Sequence, residues 1–128
     1  MGFNTFISKL FGNKAQRDLS EINPVVNRIQ EAYPAIEQLS NNELRAKTKE
    51  LAKEISEYVA AEKAEIERLK AGMEAIELDE REGVWNQVDK LEKEITEKYE
   101  KILNELLPVA FSVMKDTARR FTRNSEVV

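Results

Sequence analysis

Two runs of apolar residues stepping by threes and fours, with one step of seven, restrict this chain more than any other feature. Leu51, Ile55, Val59, Ile66, Leu69, Met73 and Ile76 make the first run; Val84, Val88, Leu91, Ile95, Tyr99, Ile102 and Leu106 make the second. At 3.6 residues per turn each run falls on one stripe of a helix, whereas a strand would scatter it over both faces. Between the runs, residues 78–83 (Leu-Asp-Glu-Arg-Glu-Gly) form a short acidic reversal, with Asp79 as candidate cap. Two stripes joined by so short a turn predict a long antiparallel helical hairpin with coiled-coil-like packing. The predicted fold is all-α.

The start of the first long helix is written into residues 39–44. Ser40 can cap the first-turn amides while Glu43, three residues on, reaches back to the Ser40 amide. Leu39 and Leu44 flank this box where a hydrophobic staple forms. From Asn41 the periodicity predicts one helix to about Glu77, with Gly72 as a point of fraying or bending. Upstream, Leu19, Ile22, Val26, Ile29, Tyr33, Ile36 and Leu39 keep helical spacing, but Pro24 and Pro34 predict breaks or kinks at Asn23 and Tyr33. Downstream, Leu107-Pro108 predicts the end of the returning helix and a new first turn, so a final helix carries Phe111, Met114, Ala118 and Phe121 on one face. Trp85, beside the turn, is expected to pack over the hairpin's end. The i, i+4 pairs Glu43/Lys47, Asp89/Lys93, Glu94/Lys98 and Glu97/Lys101 are expected on the exposed faces.

Composition excludes whole classes of chemistry. The 128 residues contain no Cys and no His, so there is no disulfide framework, no thiolate metal site and no imidazole base. None of the 4 Gly opens a phosphate loop of the G-x-x-x-x-G-K-[ST] type. The carboxylates sit in helical arrays beside lysines, the pattern of a solvated face, and no catalytic or metal-binding residue stands out. Residues 41–105 carry eighteen acids against twelve bases, a poor surface for phosphate, so no specific nucleic-acid partner is expected.

Charge and apolarity combine differently at the N-terminus. Phe3, Phe6, Ile7, Leu10 and Phe11 fall at i, i+3, i+4, i+7 and i+8, a one-sided apolar face of a short amphipathic helix. Lys9, Lys14 and Arg17 accompany it without a single acid in residues 1–17. These eight residues are candidates for reversible contact with anionic lipid; packing of the same helix on a core is the competing reading. A two-helix seam is marginal alone, so support must come from residues 19–39, the last helix or a second chain, and a homodimer stays open. The apolar ending Glu126-Val127-Val128 reads as a cut.

Three stretches resemble the N-terminal segment of the SecA family of preprotein translocase motors. They are Phe-Gly-Asn-Lys-Ala-Gln-Arg-Asp-Leu at 11–19, the pair Pro-Val-Val-Asn-Arg-Ile at 24–29 and Tyr-Pro-Ala-Ile through Lys-Thr at 33–48, and Leu-Leu-Pro-Val-Ala-Phe-Ser-Val-Met-Lys-Asp-Thr-Ala-Arg-Arg at 106–120. The last is similar to the family's Leu-Leu-Pro-Glu-Ala-Phe-Ala-Val-x-Arg-Glu-Ala-x-Arg-Arg. The family commonly passes from the second block to the third within a few helical turns; here nearly sixty residues intervene, and they are the hairpin. The expected organisation is therefore a lipid- and channel-contacting segment at 1–17, a family helical segment at 18–48, an inserted hairpin at 49–105 and a family helix at 106–128.

The resemblance implies a parent motor that uses ATP and Mg to push secretory preproteins through a SecY-type channel. Its nucleotide site would begin at or beyond the end of this chain, so no cofactor is expected within it. The same resemblance implies that the segment matching residues 1–17 contacts anionic membrane lipid and the channel, in a cytoplasmic protein held peripherally on the inner face of the membrane. The alternative is a free-standing helical adaptor or dimerisation module with no catalytic role.

Overall fold

The computed structural model describes residues 14–126, and the described residues form helices, one short 3-10 turn and no strand. Helix α1 spans Lys14–Glu37, α2 Asn41–Tyr58, α3 Ala60–Ala71 and α4 Arg81–Arg123, with the 3-10 turn at Met73–Ala75 after α3. The all-α class expected from the sequence is what the chain adopts. At 1.5 Å per residue the 43 residues of α4 make a rod of about 64 Å, and each of the other α-helices packs along it.

Helix α2 and then α3 run antiparallel to α4. Leu44 meets Val113, Glu62 meets Lys98, and Lys70 reaches Glu92. Helix α1 instead runs parallel to the C-terminal half of α4, since Ile29 lies against Ser112, Tyr33 against Asp116 and Glu37 against Arg119. The molecule thus divides into a body, where α1, the start of α2 and the end of α4 meet, and an arm, where α3 and the first half of α4 pair alone.

Each region has its own apolar cluster. In the arm Val59, Ile66, Val88 and Ile95 are buried, with Tyr58, Leu69, Leu91 and Tyr99 packed against them. In the body Ile36, Leu44 and Val113 are buried, with Leu39 and Val109 beside them. Val88, Ile95, Ile102 and Val109 recur every seven residues, which keeps one seam of α4 facing its partners from end to end.

All three prolines lie inside helices, so neither a break at Asn23 or Tyr33 nor the helix end expected at Leu107 occurs. Pro24 and Pro34 stand on the exposed surface of α1, as do Ser20 and Gln30, the residues whose carbonyls each proline leaves without a helical donor. Water can take those carbonyls, so helix α1 passes through both sites. Pro108 is buried, and α4 continues through it rather than restarting. Its missing amide frees the Asn104 carbonyl, and Arg28 of α1 donates to that oxygen at 3.3 Å. The expected boundary at residue 106 is therefore not a helix boundary.

The single helix expected over 41–77 is also interrupted. Val59, at φ −115° and ψ 6°, separates α2 from α3, and its side chain is fully buried in the arm cluster. The Tyr58 carbonyl beside this break accepts from Lys98 Nζ at 3.4 Å. Helix α3 stops at Gly72, whose amide donates to the Arg68 carbonyl. At the reversal the residue preceding α4 is Glu80, not Asp79, and its side chain makes no capping bond. Trp85 does not close the hairpin's end: it is 50% exposed.

Candidate functional site

The sequence-predicted capping site is present in full. The Ser40 amide donates to Glu43 Oε2 at 2.8 Å, and the Glu43 amide donates to Ser40 Oγ at 3.3 Å. Glu43's carboxyl is held below the ordinary range, first by its bonds to Ser40. Leu39 and Leu44 pack in one cluster, so the staple accompanies the box. Because Glu43 is engaged here, Lys47 pairs with Glu50 instead, and Lys98 with Glu62 of the opposite helix; the expected Glu43/Lys47 and Glu94/Lys98 pairs are replaced.

The capped start of α2 abuts a polar junction that the sequence reading did not find. Asp116 is buried on α4 and receives three donors: Arg119 at 2.8 Å, Arg120 at 2.7 Å and the Tyr33 hydroxyl at 3.3 Å. Arg120 also donates to Asn41 Oδ1 at 2.6 Å and to the Leu39 carbonyl. Arg119 bridges to Glu37 at 3.0 Å. Two guanidiniums, two carboxylates and a phenol thus tie the end of α1, the start of α2 and the end of α4 together with matched charge.

Burial alone would raise the Asp116 carboxyl's pKa, but the two arginines outweigh it and hold the group below the ordinary carboxylate value. Tyr33 moves the other way, raised mainly by burial, with Glu37 and Asp116 adding to the shift. A carboxylate kept ionised, with both oxygens occupied by arginines, cannot serve as a general base; it works as a clamp. Beneath it Ser112, also buried, donates to the Pro108 carbonyl at 2.7 Å and lies 3.2 Å from the Ile29 carbonyl. The signal available in the sequence was the i, i+3, i+4 spacing of Asp116, Arg119 and Arg120, which places both guanidiniums over one carboxylate.

Of the residues proposed for lipid contact, Phe3, Phe6, Ile7, Lys9, Leu10 and Phe11 lie outside the described residues. Lys14 and Arg17 are exposed on the first turn of α1. Beside the junction a cavity of about 270 Å³ is lined by Asn41, Leu44, Thr48, Thr117, Arg120 and Phe121, among others. Among the described residues no group of three or more His, Cys, Asp or Glu is placed to hold a metal ion. No helix there is long and apolar enough to cross a membrane.

A long helical arm rooted in a charge-clamped, three-helix body defines the class: an all-α scaffold. The profile described as "SecA DEAD-like domain" matches residues 7–127, and the chain belongs to that SecA family. It is 58% identical over 128 residues to the protein translocase subunit SecA of Parabacteroides distasonis, covering all of this chain and 11% of that protein. Against the corresponding subunit of Phocaeicola vulgatus the figures are 59%, all of this chain and 12%. For Porphyromonas gingivalis they are 55%, 99% and 11%. The chain therefore spans about a tenth of the length of these relatives. These alignments include the residues of the arm, since they cover all or nearly all of this chain. No solved structure matches.

Proposed function

We propose that this chain is the N-terminal helical part of an ATP-driven protein translocase, and that its role is attachment and reach rather than chemistry. The observation that carries the reading is the family match across residues 7–127, joined by relatives named as translocase subunits along the whole chain. In this reading residues 1–17 bind anionic lipid and a SecY-type channel, holding a cytoplasmic protein peripherally on the inner membrane face. Support comes from the apolar spacing of Phe3, Phe6, Ile7, Leu10 and Phe11, from Lys9, and from Lys14 and Arg17 standing free in solvent. The body seats on the remainder of the parent protein, which binds ATP and Mg and drives secretory preproteins. The arm projects from that seat as a spacer.

Replacing Phe6 and Leu10 by Asp tests the attachment. Flotation with anionic liposomes should fall to background in the double variant while helicity is kept, and wild-type flotation should weaken steeply with salt. Equal flotation of the two proteins would mean that this face packs on protein and that the attachment reading is wrong.

A further inference from the structure

The far end of the arm differs chemically from its shaft. Along the shaft and the start of α2 acids and bases are interleaved, and several pair: Glu50 with Lys47, Glu57 with Lys53, Glu62 with Lys98, Glu65 with Arg68 and Glu92 with Lys70. At the tip Glu74, Glu77, Asp79, Glu80 and Glu82 are all exposed and none is in an ion pair. The one cation among them, Arg81, turns its guanidinium to the Ile76 carbonyl at 3.4 Å. Amid these carboxylates stand the two most prominent apolar side chains of the arm, Leu78 at 82% exposure and Trp85 at 50%. Nothing lies within 4 Å of where a Cβ on Gly83 would be, so the helix surface two residues before Trp85 is open.

The dipole of α4 accounts for Asp79, Glu80 and Glu82, which sit at its N-terminus. It does not account for Glu74 and Glu77 on the other side of the turn, nor for an uncovered Trp and Leu. A spacer that only needed solubility would carry acids and bases in mixture and no exposed Trp, as the shaft does. We infer that the arm tip, from Glu74 to Trp85, is a docking surface for a cationic peptide segment bearing an apolar anchor. Leu78 and Trp85 take the anchor, and the ring of carboxylates takes the flanking Lys or Arg. Trp is the residue type most enriched at the energetic centres of interfaces, and complementary charge sets the approach and the choice of partner. The same carboxylates repel anionic lipid and nucleic acid, which excludes both as occupants. This partner site is separate from the lipid contact of residues 1–17, so either can fail without the other.

Trp85 is the only Trp of the chain, and its fluorescence reports on this surface directly. Titrating the 128-residue protein with a short synthetic peptide of Lys, Leu and Ser should shift Trp85 emission to the blue and saturate. Double charge reversal, Glu77→Lys with Glu80→Lys, should weaken binding at least about tenfold, and raised salt should do the same to wild type. Both positions are exposed, and unchanged helicity confirms that the variant is folded. Leu78→Ser should weaken binding while preserving its salt dependence. The inference is overturned if a Glu-Leu-Ser peptide shifts Trp85 equally, or if charge reversal leaves affinity unchanged. A shift of Trp85 with anionic vesicles, or with protein concentration alone, would overturn it as well, assigning the tip to lipid or to a second copy.

Discussion

Arm and body are built from the same helix α4 yet are held by different forces. The arm is a two-helix seam: Val59, Ile66, Val88 and Ile95 are buried, and of its polar links Lys70–Glu92 is exposed while Lys98–Glu62 is partly buried. The body places the buried Asp116 and Ser112 next to Ile36, Leu44 and Val113. Apolar contacts are non-directional and tolerate sliding, so a seam made of them fixes separation better than register. A buried carboxylate with three donors accepts only one arrangement of α1, α2 and α4, because any other leaves a charge unpaired. The body therefore sets the geometry from which the arm extends.

Breaking the clamp should have the largest effect. Asp116→Ala strands two guanidiniums beside a vacated site and should cost about 3–5 kcal/mol in denaturant unfolding. Amide exchange should rise across the ends of α1 and α4 and the start of α2, with the arm's amides little changed. The clamp also predicts a pH dependence. Asp116 titrates lower in the folded than in the unfolded chain, so its contribution is complete above the ordinary carboxylate pKa and is lost as pH falls through the folded value. The stability gap between wild type and Asp116→Asn should accordingly narrow on acidification below the ordinary carboxylate range. A gap constant with pH would mean that the carboxylate's charge is not what holds the body.

Truncating the arm's seam should cost somewhat less and show in a different place. Ile95→Ala removes a buried side chain opposite α3 and should cost about 2–4 kcal/mol, read as faster exchange in α3 and the first half of α4. If the body's amides accelerate equally, arm and body are one cooperative unit and the contrast drawn between them fails. The smallest effect is expected at the turn from α1 into α2. Ser40→Ala should cost about 1 kcal/mol and speed exchange in residues 41–45 only.

The arm was the legible part of the molecule. Its stripes follow from spacing alone, and the box at Ser40 and Glu43 is local, so both could be read from neighbouring residues. What could not be read depended on residues distant in sequence. Pro108 looks like a helix end until Arg28, from another helix, is seen donating to the carbonyl it frees. Val59 looks like one more stripe residue until the arm's core and Lys98 give the interruption beside it a place. Arg119 and Arg120 sit where cations complement a helix C-terminus, and only Tyr33, Glu37, Leu39 and Asn41 reveal the junction they close. The local rules were sound in each case; a partner on another helix outweighed them.

The unbroken passage of α4 through Pro108 has a mechanical consequence. One side of the arm is a continuous strut anchored in the body, and the other is jointed at Val59 and again at Gly72. A sideways load at the tip meets no break in α4, whose far end carries Asp116, Arg119 and Arg120. The compliance lies on the opposite strut, where Lys98 grips the Tyr58 carbonyl and the Glu62 carboxylate on either side of the Val59 joint.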